Sequence, residues 1–440
     1  MGVGLKVAIV GSGPAGMYTA GALIDLCAGC EIDILDKLAT PYGLIRTGVA
    51  PDHQTTKNVA RAFDKIMENE NVRFVGNIGF GTDITLATLK ELYDIVVIAI
   101  GTPKDRTLGI PGEDKAGIFG AQTFVYWYNG HPEYRDAISN LDARNAIVIG
   151  NGNVALDVAR VILSTKEEMQ HSDLVDHAAK MIFASPIEQV RIIGRRGPQH
   201  ASFSTKELRE FSNLKTVSTI TNPADIPDDF QSDDAKKTRT VNNNLAILRA
   251  YSKNEATPER RILSLDFYLS PVAVLGGEKI TALRLERTHI EGGRAVGTGV
   301  FVEYPCDLLV TCIGYKLAKV GDLPVENGII KNKDGLVEEG VYVVGWAKRG
   351  PSGTIGTNRL DSQRVVELMT RNHSNNSGSG KAGAEGLNAY CVEHNIPIVS
   401  FSDWKKINEA EQQRAGTNSP RRKFVRKRDM LELIREENHQ

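Results

Sequence analysis

The sequence is poor in several features that mark specialised classes of protein. Its five cysteines are few and odd in number, which argues against a disulfide scaffold and for a reducing compartment. Lys and Arg number 53 and Asp and Glu number 54, so the net charge of -1 gives no bulk attraction to a charged partner. The longest apolar runs, such as Ile95–Ile100, are strand-sized, and none approaches the roughly 18 residues of a membrane span. We therefore expect a soluble, folded, intracellular protein.

The length of 440 residues, 41% of them hydrophobic, predicts two to three domains at roughly 150 residues each. A strand-like run, Lys6–Val10, follows the first residues so closely that we expect no signal or transit peptide. The expected location is the cytoplasm in a bacterium, or the mitochondrial matrix if the chain is a processed eukaryotic protein. The default expectation for the oligomeric state is a monomer.

The first motif is a glycine-rich loop between a buried strand and a helix. Lys6–Val10 lacks period-two alternation, as parallel strands buried on both faces do, and a helical pattern follows the loop Gly11–Gly16. The three glycines of the loop permit a tight turn, the approach of a pyrophosphate and close packing of helix on strand. The next strand, Glu31–Leu35, ends at Asp36, 20 residues after the last glycine, where an acid meets ribose hydroxyls. The pattern predicts a dinucleotide site.

The same pattern returns 139 residues later with a different ending. The strand Asn145–Ile149 leads into Gly150–Ala155, in which alanine replaces the third glycine. A later strand, Val190–Gly194, ends in Arg195 and Arg196 where the first motif has an acid. Guanidinium groups hold a 2′-phosphate, whereas an acid repels it, so the first site suits FAD and the second suits NADPH. The alternative is that the two arginines form a solvated turn.

Five longer stretches narrow the class of flavoprotein. They are Thr40–His53, Gly150–Arg160 (GNGNVALDVAR), Gly194–Pro198 (GRRGP), Gly345–Asn358 (GWAKRGPSGTIGTN) and Phe401–Trp404 (FSDW). Together they closely resemble the adrenodoxin reductase family and its bacterial ferredoxin–NADP reductase relatives, over residues 6 to about 435. The resemblance implies an α/β fold of the glutathione-reductase type, with two Rossmann-like three-layer domains. The FAD domain (1–104 and 330–440) would be interrupted by the NADP domain (105–329).

For FAD, the resemblance carries over residues of the first motif, of the segment after it and of a later glycine-rich stretch: Gly11, Gly13, Pro14, Ala15, Gly16, Asp36, Leu44, Ile78, Trp346, Gly353, Thr354 and Ile355. The family usually has Glu where this chain has Asp36, and the shorter side chain reaches the ribose less directly. Gly353–Ile355 is expected to open a helix whose N–H groups face the flavin. Trp346 has a second interpretation as a core residue between domains.

For NADP, the resemblance carries over the second motif, the arginine pair and two further positions: Asn151, Gly152, Asn153, Val154, Arg195, Arg196, Glu207 and Gly353. It also implies that His53 and Glu210 lie near the nicotinamide and the flavin, where a histidine–carboxylate pair could steer protons. Hydride transfer between stacked rings requires no acid or base, so a purely structural hydrogen bond is the alternative for this pair.

The implied reaction is hydride transfer from NADPH to FAD, followed by single-electron transfer to a small acidic [2Fe-2S] ferredoxin of the adrenodoxin type. Basic side chains would dock such a partner, and the candidates are Lys236, Lys237 and Arg239. A denser basic run at 421–428 is interpreted as a solvated face. Nucleic acid is not an expected partner, because neither a basic domain nor an aromatic–basic platform is evident.

Other functions stay open at this point. Cys27-Ala28-Gly29-Cys30 is a CxxC, which occurs in dithiol–disulfide reductases, in zinc sites and in ordinary loops. It follows the first helix, at the end of the sheet opposite the glycine loop, and no second CxxC accompanies it, so we expect two loop cysteines and no metal. An acceptor other than ferredoxin (a disulfide, a quinone or oxygen) is the alternative function. A scaffold that binds nucleotides without turnover is the non-enzymatic one.

Overall fold

The computed structural model describes residues 4–257, 259–373 and 380–438. The chain divides into two compact units: unit 1 comprises residues 1–104, 129–133 and 315–440, and unit 2 comprises 105–128 and 134–314. The predicted domain limits at 104 and 329 stay a prediction, and unit 1 resumes at Tyr315. The physical reason is that Leu317 and Leu323 are buried in the same hydrophobic cluster as Val341, a strand residue of unit 1.

The strands, in chain order, are β1 (Lys6–Val10), β2 (Glu31–Asp36), β3 (Val72–Gly76), β4 (Ile95–Ile98), β5 (Lys104–Asp105), β6 (Ile118–Gly120), β7 (Asn145–Ile149), β8 (Gln189–Ile193), β9 (Val217–Thr221), β10 (Arg261–Asp266), β11 (Leu269–Leu275), β12 (Ala282–Glu291), β13 (Arg294–Pro305), β14 (Leu308–Thr311), β15 (Tyr315–Lys316), β16 (Val325–Glu326), β17 (Ile329–Ile330), β18 (Leu336–Glu338) and β19 (Val341–Val343).

The α-helices are α1 (Pro14–Leu26), α2 (Leu44–Thr47), α3 (Gln54–Lys57), α4 (Ala60–Met67), α5 (Leu86–Leu92), α6 (Ala121–Asn129), α7 (Asn153–Leu163), α8 (Asp176–Ala184), α9 (Thr205–Glu210), α10 (Ala235–Tyr251), α11 (Trp346–Arg349), α12 (Thr357–Asn372), α13 (Ala384–Glu393), α14 (Phe401–Ala415) and α15 (Lys427–Asn438). Single 3-10 turns are formed by Pro132–Tyr134, Pro198–His200, Phe211–Asn213 and Pro223–Asp225. In the described part of the chain, no helix combines the length and the apolarity that a membrane crossing requires.

Unit 1 is built on a six-stranded sheet in the order β18-β19-β4-β1-β2-β3, parallel except for β18. In register, Val10 at the end of β1 lies between Leu35 of β2 and Ile98 of β4. The carboxyl ends of the central strands therefore meet at one edge, which is where ligands bind in sheets of this kind.

Both faces of this sheet are buried, which explains why its strands read as continuous apolar runs. Val7 and Ile9 point into one hydrophobic cluster, and the alternate residues Ala8 and Val10 point into another. Helix α1 packs against α12 on the first face, and α5 packs against α13. Unit 1 is thus a three-layer α/β arrangement.

Residues far apart in sequence hold unit 1 together. The Ser362 hydroxyl of α12 donates to the carbonyl of Ala15 in α1 at 3.0 Å. The Arg46 guanidinium forms a buried two-point ion pair with Glu411 of α14, with one nitrogen–oxygen distance of 2.9 Å. Glu411 also accepts from the backbone N–H of Phe424 at 2.9 Å. The C-terminal third of the chain therefore completes the core of the N-terminal segment.

Unit 2 contains a second six-stranded sheet, in the order β6-β14-β7-β8-β10-β9, whose neighbouring strands are all parallel. An antiparallel sheet of β11, β12 and β13 covers one face, and its Leu283 and Leu285 share a hydrophobic cluster with Ile147 and Ile149 of β7. Helix α7 packs against β7 and β8. The predictions that Lys6–Val10 and Asn145–Ile149 are strands buried in parallel sheets are confirmed.

Candidate cofactor-binding sites

The glycine loop of unit 1 has the geometry that its sequence predicts. Gly11 has φ +110, and a Cβ built there would lie 2.6 Å from the carbonyl oxygen of Ala99. A Cβ on Gly16 would lie 1.9 Å from the oxygen of Gly11, so helix and loop approach as closely as only glycine allows. Gly13 differs from both, because a Cβ on it meets no described heavy atom within 4 Å. The space beside Gly13 is therefore open to a ligand.

The first turn of α1 faces this open space. Gly13 is its N-cap and offers no side-chain acceptor, and Pro14 occupies the first helical position. The remaining N–H groups and the positive end of the helix dipole are the combination that binds a pyrophosphate. The predicted FAD residues thus lie in one loop and the first turn of the helix that follows it: Gly11, Gly13, Pro14, Ala15 and Gly16.

Asp36 stands at the carboxyl end of β2, beside this loop. Its carboxylate accepts from the backbone N–H of Ser12 at 3.0 Å and from that of Leu38 at 3.0 Å, and also from the Ser12 hydroxyl. Burial raises the pKa of Asp36 above its usual range, although these hydrogen bonds act in the opposite direction. The carboxylate fixes the loop, and its oxygens have further acceptor capacity for a ribose hydroxyl. Sequence reasoning missed Ser12, although it lies inside the motif.

Two further segments adjoin the first loop. A Cβ on Gly43, which precedes Leu44, would lie 3.0 Å from the Cα of Gly13. A Cβ on Gly345, which precedes Trp346, would lie 2.5 Å from the Cβ of Ala15. Ile78 is buried, and its N–H donates to the carbonyl of Asp36 at 2.9 Å. The structure therefore gathers these predicted FAD residues around one loop.

The segment around Trp346 is braced by residues that the sequence did not single out. Asp361 accepts from the backbone N–H of Gly345 at 2.8 Å and from Lys348 at 2.7 Å. The half-buried Trp346 ring stacks on Tyr315 with centroids 6.0 Å apart, and its indole N–H donates to the carbonyl of Ser352 at 3.2 Å. No motif in the sequence analysis includes Tyr315.

Gly353, Thr354 and Ile355 precede the helix that they were expected to open. Helix α12 begins at Thr357, and the expected helix start was wrong. Gly353 has φ +84, and the N–H of Thr354 donates to the Thr357 hydroxyl at 3.0 Å, so these residues form a turn ahead of the helix. The turn belongs to unit 1, although Gly353 was predicted to contact NADP as well as FAD.

The glycine loop of unit 2 repeats the first loop with a polar addition. Gly150 has φ +136, and a Cβ there would lie 2.3 Å from the carbonyl oxygen of Cys312. Gly152 is the N-cap of α7 and offers no side-chain acceptor. The Asn151 side chain lies over Gly194, where a Cβ would come within 1.7 Å of its Nδ2. Its buried Oδ1 has no hydrogen-bond partner among the described residues, which fits a site awaiting a polar ligand.

Asn153 and Val154 lie in the first turn of α7. The Oδ1 of Asn153 accepts from the backbone N–H of Ser204 at 2.7 Å, which joins this turn to the segment before α9. The carbonyl of Asn151 accepts from the N–H of Ser202 at 2.8 Å. The predicted NADP residues Asn151, Gly152, Asn153 and Val154 are thus held by the loop that leads to Glu207.

Arg195 and Arg196 are exposed at the end of β8, and a hydrogen bond from a neighbouring strand holds their backbone. The Thr288 hydroxyl donates to the carbonyl of Arg195 at 2.8 Å, and the N–H of Thr288 donates to the carbonyl of Tyr268 at 2.9 Å. Tyr268 adopts φ +55, which is strained for a bulky residue, and its hydroxyl accepts from Gln199 at 3.2 Å. Such strain is characteristic of functional sites. No local pattern in the sequence marks Tyr268 or Thr288.

Glu207 and Glu210 lie on α9 beside a buried arginine. Arg160 of α7 contacts Asp157 at 2.8 Å, Glu210 at 3.1 Å and Glu207 at 3.7 Å. Sequence reasoning missed Arg160, although its spacing of three from Asp157 inside GNGNVALDVAR was a signal. His53 is the N-cap residue of α3 in unit 1, and its N–H donates to the carbonyl of Ala50 at 3.0 Å.

Lys236, Lys237 and Arg239 are exposed in the first turns of α10. Asp234 caps this helix by accepting from the N–H groups of Lys236 and Lys237, at 2.9 and 3.0 Å. The basic run at the C-terminus was expected to be a solvated face, and this is wrong for Lys423. Its buried ammonium donates to the carbonyls of Arg46 and Asn129, both at 3.1 Å.

Cys27 and Cys30, expected to be ordinary loop cysteines, are joined in a disulfide across a Cα–Cα distance of 5.7 Å. The tight turn arises because Gly29 adopts φ +77 and the N–H of Cys30 donates to the carbonyl of Cys27. Helix α1 has 13 residues and separates the disulfide from the glycine loop by about 20 Å.

The chain is similar to proteins of one group over nearly its full length. A family model described as pyridine nucleotide-disulphide oxidoreductase matches residues 5–198. Sequence identity is 37% to the mitochondrial NADPH:adrenodoxin oxidoreductase of Arabidopsis thaliana, covering 97% of this chain and 95% of that protein. It is 36% to NADPH-ferredoxin reductase FprA of Mycobacterium leprae, covering 98% and 97%. The chain belongs to the adrenodoxin reductase and ferredoxin–NADP reductase family.

A solved structure extends the family likeness to three dimensions. FprA of Mycobacterium tuberculosis in complex with NADPH has a TM-score of 0.92 and 35% identity, covering 98% of this chain and 99% of that one. The fold of this family member is of the glutathione-reductase type, with a discontinuous first unit. The predictions of the family, of the fold and of FAD and NADP as cofactors are confirmed.

Proposed function

We propose that this family member is an NADPH-dependent reductase that passes electrons through FAD, one at a time, to a [2Fe-2S] ferredoxin of the adrenodoxin type. The observation that carries the proposal is the pairing of two like glycine loops with unlike ends, Asp36 after the first and Arg195 and Arg196 after the second. An acid suits a free ribose and arginines suit a 2′-phosphate, so one chain would hold both an FAD and an NADPH. We propose ferredoxin as the acceptor because the relatives are named adrenodoxin and ferredoxin reductases.

FAD would be held by the first loop. The N–H groups at the start of α1 would bind its pyrophosphate, and Asp36 would accept from a ribose hydroxyl. Gly353, Thr354 and Ile355, in the turn before α12, would contact the flavin, with Trp346 beside them. When bound, FAD supplies the exchange between a two-electron donor and a one-electron acceptor, which no side chain provides.

NADPH would be held by the second loop and the arginine pair. The N–H groups at the start of α7 would bind the pyrophosphate, and Asn151 would direct its unpartnered Oδ1 to a donor on the nucleotide. Arg195 and Arg196 would hold the 2′-phosphate by charge-assisted hydrogen bonds. Glu207 would accept from the carboxamide end, with its position fixed by Arg160.

His53 and Glu210 would orient the reacting groups and steer protons around them. Glu210 is 3.1 Å from Arg160, and this ion pair holds its carboxylate in one position. Since hydride transfer depends on orientation, we expect substitution of either residue to change the rate moderately without abolishing turnover.

The acceptor would dock on Lys236 and Arg239, with Lys237 between them. These side chains are exposed on one short stretch of α10, and a small acidic partner would be attracted to them. Charge reversal by Lys236→Glu with Arg239→Glu should weaken ferredoxin reduction and leave ferricyanide reduction intact. Equal loss in both assays would contradict docking at this surface.

The decisive experiment is anaerobic reduction of the FAD-loaded protein by NADPH, coupled to cytochrome c with and without a [2Fe-2S] ferredoxin. Strong ferredoxin dependence is the expected result. Rapid flavin reduction without stimulation by ferredoxin would support the NADPH site but contradict ferredoxin as the acceptor. A disulfide, a quinone or oxygen would then be the acceptor to test. Flavin that stays oxidised under excess NADPH would overturn the proposal and favour a nucleotide-binding scaffold.

A further inference from the structure

The antiparallel sheet of unit 2 ends in a long strand with a neighbour on one side only. The strand order is β11-β12-β13, so β13 (Arg294–Pro305) is an edge strand of 12 residues. In the described part of the chain, the backbone N–H and C=O groups on its outer side face no further strand. An exposed edge of this kind can pair with a strand of another chain.

Apolar side chains are exposed along this edge strand. Val296, Val300 and Phe301 have exposed fractions of 38%, 57% and 55%. The stretch from Ala295 to Val302 contains no charged residue. Edge strands are commonly protected by charged residues or proline, and here such residues stand only at the two ends of the strand. The apolar side chains between them are therefore available for contact with a partner.

The exposed side chains form one row that is interrupted by a bulge. Val302 packs against the hydrophobic cluster of unit 2, so its neighbours Phe301 and Glu303 point to solvent. The register with β12 shifts in the middle of β13. On the other side of this bulge Arg294 and Val296 are exposed, and the residue between them is half-buried. These four residues are called the exposed row of β13 below.

We propose that β13 pairs antiparallel with β13 of a second copy of this chain, which joins two three-stranded sheets into one across a two-fold axis. The proposal is carried by the self-complementarity of the exposed row. In one register, Arg294 of each copy lies opposite Glu303 of the other, and Val296 lies opposite Phe301. The axis repeats both contacts, so the dimer would contain two ion pairs and two apolar pairs. This dimer is independent of the proposed cofactor and acceptor roles, and it differs from the monomer expected by default.

The charges at the two ends of the strand select this register. In the described part of the chain, no ion pair involves Arg294, and the carboxylate of its cross-strand neighbour Glu291 lies 3.8 Å from a His289 ring nitrogen. Glu303 is 2.7 Å from Arg284, but its side chain is half-exposed and its carboxylate can accept from a second guanidinium. A shift of the register by two residues in either direction would place one of these charges opposite an apolar side chain.

The bulge of each copy falls on the axis in this register. Gly299 adopts φ +77 there, and its N–H already donates to the Glu286 carboxylate at 2.9 Å. Pairing between the copies is thus confined to the two ends of the strand, and the interface is small. Small interfaces associate weakly, so we expect a dissociation constant of about 10–100 µM.

The first test is the mass of the FAD-loaded protein, measured by sedimentation equilibrium from about tenfold below to about tenfold above the expected dissociation constant. A reversible equilibrium between monomer and dimer is the expected result. A mass that stays that of a monomer would overturn the proposal and leave the edge to a strand of a different protein. Open-ended growth would also overturn it, because a two-fold contact closes at the dimer.

Two matched valine variants test the location of the contact. Val296 belongs to the exposed row, whereas Val392 is an exposed valine on α13 of unit 1. Val296→Asp should weaken dimerisation at least about tenfold, because it puts a carboxylate opposite Phe301 in both symmetry-related contacts. Val392→Asp should leave it unchanged. Equal weakening by the two variants, or none by Val296→Asp, would overturn the proposal, and thermal melts show that both variants are folded.

A charge exchange tests the register itself. Arg294→Glu alone and Glu303→Arg alone each put like charges opposite one another twice, so each variant should stay monomeric where the unchanged protein dimerises. An equimolar mixture of the two variants should dimerise, because every charged contact then joins a carboxylate and a guanidinium. A mixture that stays monomeric would overturn the register and the proposal with it.

Discussion

The glycine loops of the two units share their backbone and differ in what surrounds them. Gly13 and Gly152 cap α1 and α7 in the same extended conformation. The first loop is closed from outside by Asp36 and Ser12, whereas the second is overlaid by the side chain of Asn151 and ends in exposed arginines. The shared loop backbone suits a pyrophosphate, which both cofactors contain. The residues that discriminate between FAD and NADPH lie at the end of the following strand.

The helices behind the two loops differ as well. At the position of Arg160 in α7, 139 residues earlier, α1 has Gly21, where a Cβ would come within 3.1 Å of Ile66. Helix α1 is therefore packed by small residues, while α7 carries a buried guanidinium among three carboxylates. One helix serves mainly as support, and the other also positions acidic groups beside its ligand.

The largest expected effect comes from alanine substitutions at two glycines of the first loop. One substitution should strain the protein itself, and the other should block only the ligand. Gly16→Ala puts a methyl group against the Gly11 carbonyl and should cost about 3 kcal/mol of folding free energy, so that no flavin is retained. Gly13→Ala meets no described protein atom and should leave the melting temperature of the FAD-free protein unchanged while abolishing tight FAD binding. Thermal melts and flavin absorbance check both. Equal destabilisation by the two alanines would remove the distinction.

Arg160→Gln tests the contrast between the two helices. Leaving three carboxylates without their guanidinium should lower the free energy of unfolding by about 3–5 kcal/mol. Denaturant titrations measure it, with Arg160→Lys as the charge-preserving control. A deficit of the same size in Arg160→Lys would show that lost packing and lost guanidinium contacts, not the lost charge, are responsible.

Arg195→Ala with Arg196→Ala tests whether discrimination resides at the strand end. Two lost charge-assisted contacts should lower the preference for NADPH over NADH about 100-fold. Gly152→Ala is the matched change in the loop itself, where a Cβ would approach the Ser202 hydroxyl at 3.2 Å. It should weaken the binding of NADPH and of NADH by a similar factor and leave the ratio of their kcat/KM values unchanged. Steady-state kinetics with ferricyanide distinguish the two patterns.

The smallest expected effect concerns the residue beneath the arginines. Tyr268→Phe removes the bond to Gln199 but keeps the ring, and it should raise KM for NADPH about twofold to threefold with kcat unchanged. Tyr268→Asn tolerates the positive φ yet removes the ring, so its effect should be larger. An unchanged KM in both variants would show that the arginine loop keeps its position without Tyr268.

The features that could be predicted from the sequence are those determined by contiguous residues. The strands Lys6–Val10 and Asn145–Ile149, the two loops and the family follow from local patterns of glycine and apolar residues. Asp36 was identified because its distance from Gly16 is set by one helix and one strand. These features depend on spacing along the chain.

The parts that could not be predicted depend on contacts between distant segments. Tyr268 and Thr288 reach Arg195 and Arg196 only because β10, β12 and β8 meet in unit 2. Lys423 lies in a basic run that resembles a solvated surface, yet two carbonyls from residues hundreds of positions away accept from it. A charge pattern predicts exposure by default, and burial is decided by acceptors that the pattern does not contain.

The discontinuity of unit 1 has a consequence for the order in which a growing chain can fold. When the ribosome has added residue 314, unit 2 has its full sequence, but the sheet of unit 1 still lacks β18 and β19, and α1 lacks α12. The apolar surface of α1 therefore stays uncovered while more than half of the polypeptide is synthesised. Arg46 likewise has no Glu411 to pair with until residue 411 has been added. Exposed apolar surface of this kind favours aggregation during that interval, and the predicted flavin site has all its residues only after Ile355 has been added.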